Sequence, residues 1–476
     1  METYRRGRFI LPALIVLLLM AGRFVPAQQK PKPVPKPDRA ETEAVSKWIS
    51  QSAIPLTSVE AGHGFADLEP LKAVLKNVRI VGLGEATHGT REFFQFKHRM
   101  LEFLVKEMGF TVFAIEASYP ACFNINNYVL YGKGDRAEAL ASQKFWTWDT
   151  QEVSAMIDWM REYNKTAPAG KQVEFVGYDA QHLDQAIDVV VAYFKKVAPD
   201  LAPVAETALA PLKVDPMKIT EWATQKEEEK SRILTQLYRL LGLMAFDETR
   251  FTRLSSPEEY RFALQHARVL VQSYDAYSRP MGESVAVTGT AFAMRDLYMS
   301  ENIEFLLNER GPGTKMVVWA HNGHISFASP GTEPVLMGSH LRQVFGDAYY
   351  ALGFTFLQGS FQSRNLDDKD PQYGALQEFT VGPEAPAAVS WYLSRPGIKD
   401  FILDFRSAPK DGKVAQWLNT AHAMRSVGSG FSTKIDPAMY AEPVILPRAF
   451  DGIIFIDRTH RAIPNPTGER GPYKKD

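Results

Sequence analysis

Four short segments hold the residues of this 476-residue chain best suited to moving a proton. Gly84-Glu85-Ala86-Thr87-His88-Gly89 sets a carboxylate three residues before an imidazole, inside a turn flanked by glycines. Glu116 closes the apolar run 112–115 (VFAI), and Tyr178-Asp179 follows 173–177 (VEFVG). His321-Asn322-Gly323-His324 follows 315–320 (KMVVWA). Imidazoles set among carboxylates suit general acid/base work. A histidine near neutral pH can take a proton from water, and a carboxylate beside it fixes its tautomer and steadies the cation. His88 is the candidate base, with Glu85 and Glu116 as candidates for that partner. Either His321 or His324 could polarise a carbonyl or protonate a leaving group.

Each of these residues also has an ordinary reading. Glu85 could cap the helix that follows it. Glu116 could form a salt bridge, since a carboxylate ending an apolar strand is costly to bury unpaired. Asp179 could simply open a loop, and the three histidines could be hydrogen-bonded loop residues. Arg295, Met299 and Asn302 share a helix face at i, i+4, i+7; Met299 reads as core and Arg295 as a partner for a site carboxylate. Trp146 and Trp148 read as packing, and His98, His182 and His266 as structural. A nucleophile is hard to find. The nearest approach to G-x-S-x-G is 282–286 (GESVA), with no strand before it. Cys122, the only cysteine, reads as a small buried hydrophobe. Gly82, Gly84 and Gly89 allow close backbone approach around Glu85 and His88, but their spacing fits neither a dinucleotide fingerprint nor a phosphate loop.

The elements that must position these residues alternate. Continuous apolar runs at 78–83, 112–115, 173–177, 315–320 and 349–354 predict strands, with weaker ones at 401–405 and 452–456. Helical patterns occupy 91–108 and 153–163, and 202–308 reads as a wholly helical insertion whose clearest member is 226–244. The expected fold is α/β, a mostly parallel sheet covered by helices on both faces. In such a sheet ligands bind beyond the carboxyl ends of the strands. Four successive strands deliver ionisable residues to that edge, a convergence that random placement would not produce.

Hydrophobic residues make up 45% and charged residues 23% of the chain, the balance of a globular protein able to bury a large core. Residues 1–27 read as a secretory leader, with Arg5, Arg6 and Arg8 before an apolar stretch too short for a comfortable membrane span. The expected location is therefore periplasmic or secreted, with no stable membrane insertion after cleavage. The Lys/Pro-rich stretch 28–40 reads as a linker, 41–463 as the α/β domain and 464–476 as a flexible tail. The net charge of −1 and the lack of a basic stripe argue against a nucleic-acid partner.

With these residues in hand, the chain resembles the erythromycin esterase family. Gly84-Glu85-Ala86-Thr87-His88-Gly89-Thr90-Arg91-Glu92-Phe93 is similar to the family's G-E-x-[TA]-H-x-x-x-E-F motif, and Phe113 to Glu116 and Trp319 to His324 are similar to two further blocks. Weaker similarity lies in Phe145-Trp146-Thr147-Trp148 and in Arg295-Asp296 with Met299 and Asn302. The resemblance, from about residue 43 to 459, implies a metal-independent, cofactor-free esterase that opens a macrolactone, or another small-molecule ester, with an activated water. It implies His88 as the base, with Glu85, Glu116 and His321 or His324 as electrostatic and acid partners. Where some members have Arg on the helix after the motif, this chain has Lys97, with Arg99 nearby; both are carried as substrate-side candidates beside Asp179 and Arg295. Two other readings stay open: a metal-dependent hydrolase using Glu85, His88, His321 and His324 as ligands, and a non-catalytic ligand-binding protein on the same fold.

Overall fold

The computed structural model describes residues 37–281, 289–327 and 336–466, without the side chains of 216 and 217. The leader, most of the linker, the 282–286 segment and the tail beyond 466 lie outside the described residues. Among the described residues there are twelve strands: β1 (Ile54–Pro55), β2 (Ile80–Leu83), β3 (Val112–Ser118), β4 (Glu174–Asp179), β5 (Met316–Trp319), β6 (Tyr349–Asn365), β7 (Leu376–Val381), β8 (Asp400–Asp404), β9 (His422–Arg425), β10 (Gly430–Phe431), β11 (Ala441–Val444) and β12 (Gly452–Thr459). The main sheet runs β1-β8-β12-β6-β2-β5-β3-β4, with β7 and β10 added to the far end of β6. From β12 to β4 every pairing is parallel, whereas β8, β1 and β7 join antiparallel. The sheet is thus mostly parallel, as the apolar runs predict, and mixed at its margin.

Alternation sorts the central strands onto two buried faces. Val81, Leu83, Phe113, Ile115, Val317 and Trp319 enter one core, packed against the helix Arg91–Met108. Ile80, Val112, Ala114, Met316 and Val318 enter the other. Burial on both faces is why these strands read as unbroken apolar runs rather than as alternating ones.

Between β4 and β5 every described element is helical. Residues from Leu183 to Tyr277 share a hydrophobic core of their own. The last helix of this stretch, Ala291–Arg310, belongs to both bodies. Met294 and Tyr298 pack on the helical core, while Met299, Ile303, Leu306 and Leu307 pack on the sheet. Short β9 to β11 and the helices Phe123–Tyr131 and Arg136–Ala141 carry weak patterns and escape a sequence reading. At the ends, the helix Arg39–Ser52 begins inside the stretch expected as linker, with Asp38 as its N-cap. Pro464 pairs with Thr150, inside the stretch expected as tail. Among the described residues no helix is long and apolar enough to cross a membrane.

Candidate active site

The strands β2, β5, β3 and β4 are neighbours, so their carboxyl ends form one continuous edge. At the end of β2 the chain must turn between its neighbours with almost no clearance. A Cβ on Gly84 would sit 2.2 Å from Asn322 Oδ1, and one on Gly89 would sit 2.1 Å from the Gln362 carbonyl oxygen. Only glycine fits at either place. The turn is tied down from three sides: Asn322 N–H donates to Glu85 O, Val427 N–H to Ala86 O, and Gln362 N–H to Gly89 O. The Glu85 carboxylate is fully buried. One oxygen accepts from His88 Nδ1 at 2.6 Å. The other accepts from Lys97 Nζ at 2.6 Å and Trp319 Nε1 at 2.7 Å. Burial raises the Glu85 pKa, but Lys97 and His88 outweigh it and hold the group below its ordinary value. Lys97 is fully buried, with Nζ 4.0 Å from the Trp319 ring centre, and burial draws its pKa down to about 8 despite Glu85. Both are therefore charged at neutral pH. An ionised Glu85 keeps the neutral His88 proton on Nδ1, leaving the Nε2 lone pair free to accept another.

A second buried cluster stands beside the first. β3 carries a bulge between Ile115 and Ser118, the kind of irregularity that re-aims a side chain, and Glu116 lies within it. Glu116 Oε1 accepts from Arg295 Nη2 at 2.8 Å and forms an ion pair with His324, whose Nε2 lies 3.2 Å away. Its Oε2 accepts from the His321 backbone N–H at 3.0 Å. Arg295 also forks onto Asp179 through Nη2 at 2.8 Å and Nε at 3.1 Å. His324 Nδ1 donates to Asp296 at 2.7 Å, and Phe292 stacks on its ring. His324 Nε2 also lies 3.2 Å from Arg295 Nη1, a like-charge approach that the three carboxylates hold together. Burial pulls the His324 pKa down, but Asp296 and Glu116 raise it to about 10, so the ring is a cation. Burial raises that of Glu116, and His324 and Arg295 then carry it well below the carboxylate range.

His321 differs from its neighbour three residues on. Its Nδ1 accepts from the Gly323 N–H at 3.2 Å, and its buried Nε2 has no partner among the described residues. Burial and the neighbouring His88 push its pKa down to about 3. The neutral ring then carries its proton on Nε2. The His88 and His321 rings lie 5.1 Å apart, centre to centre. His88 therefore offers a lone pair and His321 an N–H, while His324 is committed on both nitrogens.

Glu85, His88, Glu116, His321 and His324 are thus brought together. The expected substrate-side residues are not free to meet a substrate. Lys97 is sealed behind Glu85, and Arg295 and Asp179 neutralise one another in the second cluster. Arg99 leaves the site altogether: it lies on another face of its helix and binds Asp67 and the carbonyls of Ser58 and Gly64. Glu116 holds His321 and His324 rather than making the hydrogen bond to His88, which Glu85 makes. Among the described residues no group of three or more His, Cys, Asp or Glu is arranged to hold a metal ion. Sequence reasoning missed Asp296, although an Arg-Asp pair on a buried helix face signals buried ion pairing. It also missed Trp319 as a donor to Glu85, and it read Trp148, which meets His88 edge-on with ring centres 6.5 Å apart, as ordinary packing.

The chain is similar to several known proteins over most of its length. The chain is 26% identical over 435 residues to erythromycin esterase type II of Escherichia coli, covering 87% of this chain and 97% of that protein. A solved structure named as a succinoglycan biosynthesis protein superposes with a TM-score of 0.75 at 26% identity, covering 90% of this chain and all of that one. The open form of a histidine-to-asparagine mutant of the erythromycin esterase EreC gives 0.65 at 16% identity, over 83% of this chain and 94% of that one, a likeness of fold. The family model for erythromycin esterase matches residues 105–459, beginning after the Glu85–His88 turn and spanning both later blocks. On the extent of that match, the chain belongs to the erythromycin esterase family of hydrolases.

Proposed function

We propose that the chain is a carboxylic ester hydrolase, with macrolactones as its first substrate class, acting by direct attack of water. His88 Nε2 takes a proton from water as the oxygen attacks the ester carbonyl. Glu85 holds Nδ1–H and balances the imidazolium that forms. The His321 Nε2–H donates to the carbonyl oxygen as it becomes an oxyanion. Collapse breaks the bond to the alkoxide, and His88 returns its proton to that leaving oxygen. The observation that carries this reading is the pairing of a free lone pair on His88 with a free N–H on His321, their rings 5.1 Å apart. The leader-like sequence of residues 1–27 supports export to the periplasm or medium. The likeness to a succinoglycan biosynthesis protein favours acylated saccharides as a second substrate class.

The test is a screen over macrolactones, simple esters and acylated saccharides, with products weighed by mass spectrometry and His88→Ala run alongside. Addition of water by the wild type and its near-absence in the variant is the expected result. An unchanged set of esters and lactones overturns the proposal.

A further inference from the structure

The chain from His460 to Asn465 is stitched to both sides of the site. On the side of the base, Arg91 N–H donates to His460 O and Ala462 N–H donates to Gly89 O, each at 2.9 Å. On the other side stands the turn carrying Phe145 and Trp148. Gln151 N–H donates to Ile463 O at 2.7 Å, and Asn465 N–H to Asp149 O at 3.0 Å. The buried Asn465 side chain donates to Asp149 Oδ1 at 2.9 Å, to Thr150 O at 3.1 Å and to Ser154 Oγ at 2.9 Å. This stretch is therefore a strap across the site, and its last two residues, Pro464 and Asn465, were read from sequence as the start of a flexible tail.

The turn it holds is under tension at its other end. Lys144 has φ 65°, a left-handed backbone rare outside glycine. The Gln143 side chain holds it there, accepting from Phe145 N–H at 2.9 Å and donating to Phe145 O at 2.6 Å. Such strain persists only where the surroundings over-determine it, often at ligand-binding sites. Trp148 is buried 6.5 Å from His88, centre to centre, and its Nε1–H has no partner among the described residues. An unpaired buried N–H is costly unless something accepts from it. Phe145 packs against Trp148 at 5.3 Å.

We propose that Asn465 is a positioning residue: through the strap it sets the gap between His88 and the Trp148 wall, and so selects bulky, largely apolar esters that carry an acceptor oxygen. The proposal rests on the hydrolase reading above. A small ester engages only His88 and His321, whereas a bulky one also lies on the wall. In Asn465→Ala the wall relaxes away from its contact with the bulky ester.

The experiment compares a macrolactone with a small aryl ester. Asn465→Ala should raise KM for the macrolactone about fivefold or more, the scale of one lost aromatic contact, with kcat nearly unchanged and the small ester unaffected. The ratio of the two kcat/KM values does not depend on how much protein is folded, so simple destabilisation leaves it unmoved. Ser154→Ala, which removes one acceptor, should shift the ratio less in the same direction and serves if the first variant does not fold. Truncation after Pro466 should leave the ratio unchanged. An unchanged ratio in folded Asn465→Ala overturns the proposal. If the wild type cleaves neither these esters nor an acylated saccharide, the hydrolase reading has failed and indole fluorescence decides the wall. A pH-dependent component lost in both Trp148→Phe and His88→Ala reports their contact. It should weaken in Asn465→Ala, and full amplitude there overturns the proposal.

Discussion

The two buried charge clusters use the same residue types and yet end in opposite states. In the cluster at β2, one carboxylate serves one ammonium and one imidazole, and two ring nitrogens, on His88 and His321, are left unspent. In the cluster at β3, two cations meet three carboxylates, and the ring nitrogens of His324 are committed. His321 and His324 lie three residues apart on one turn, but one is driven down to about 3 and the other up to about 10. Both are buried, so burial is not what separates them. The difference is that His324 meets two carboxylates, while His321 meets a backbone N–H and a second imidazole. The first cluster leaves ring nitrogens free; the second ties the strand ends together through ion pairs.

Substitution should expose that division. The largest effect belongs to His88→Ala, which should lower kcat by roughly 10²–10⁴ while the protein stays folded by circular dichroism. His321→Ala should lower kcat by roughly 10²–10³, the scale of one lost oxyanion donor, with little change in Tm. His324→Ala should reverse the pattern. Removing one partner of a buried ion cluster costs about 3–5 kcal/mol, so thermal unfolding should reveal the loss even where turnover of the folded fraction falls less. Equal Tm losses in the two histidine variants would erase the distinction between the clusters.

The pH dependence of stability sharpens the same contrast. His324 titrates near 10 when folded, against 6.5 unfolded. Its contribution is complete below the unfolded value and is lost as pH rises through the folded one. Lys97 runs the other way. Its folded value of about 8 lies below the ordinary 10.5, so burying it costs stability at low pH, and that cost fades as pH rises from 8 toward 10.5. The stability margin of wild type over His324→Asn should shrink from pH 6.5 to 10. The margin over Lys97→Met should grow between 8 and 10.5. Urea unfolding across that range measures both, and slopes of the same sign would refute the assignment. The smallest effect expected is that of chelation: exhaustive treatment should leave kcat/KM unchanged, because the proposed activation of water by His88 needs no Lewis acid. Loss of activity, restored by zinc or manganese, would favour the metal-dependent reading.

The strands and the edge they share were legible in the residues. Apolar runs bounded by turns name the central strands, and ionisable groups at their carboxyl ends name a candidate site, because both signals are local. Gly84 and Gly89 were legible for the same reason: a glycine beside a candidate base marks a tight approach whatever it approaches. The pairings within the cluster were not legible, because they depend on partners from far along the chain. Arg295 reaches Asp179 across 116 positions and Glu116 across 179, and Trp319 reaches Glu85 across 234. Lys97 and Arg99 are two residues apart on one helix, so their side chains leave it in different directions; one enters the site and the other binds Asp67. Asn465 looks like a tail residue until Asp149, Thr150 and Ser154 are folded against it. The sequence by itself determined which residues could do chemistry and which edge they share, since periodicity and turn geometry act over a few residues. Only the tertiary structure decided which histidine is free and which is a fixed cation, since protonation is set by the charges buried within a few ångströms, and those come from everywhere in the chain.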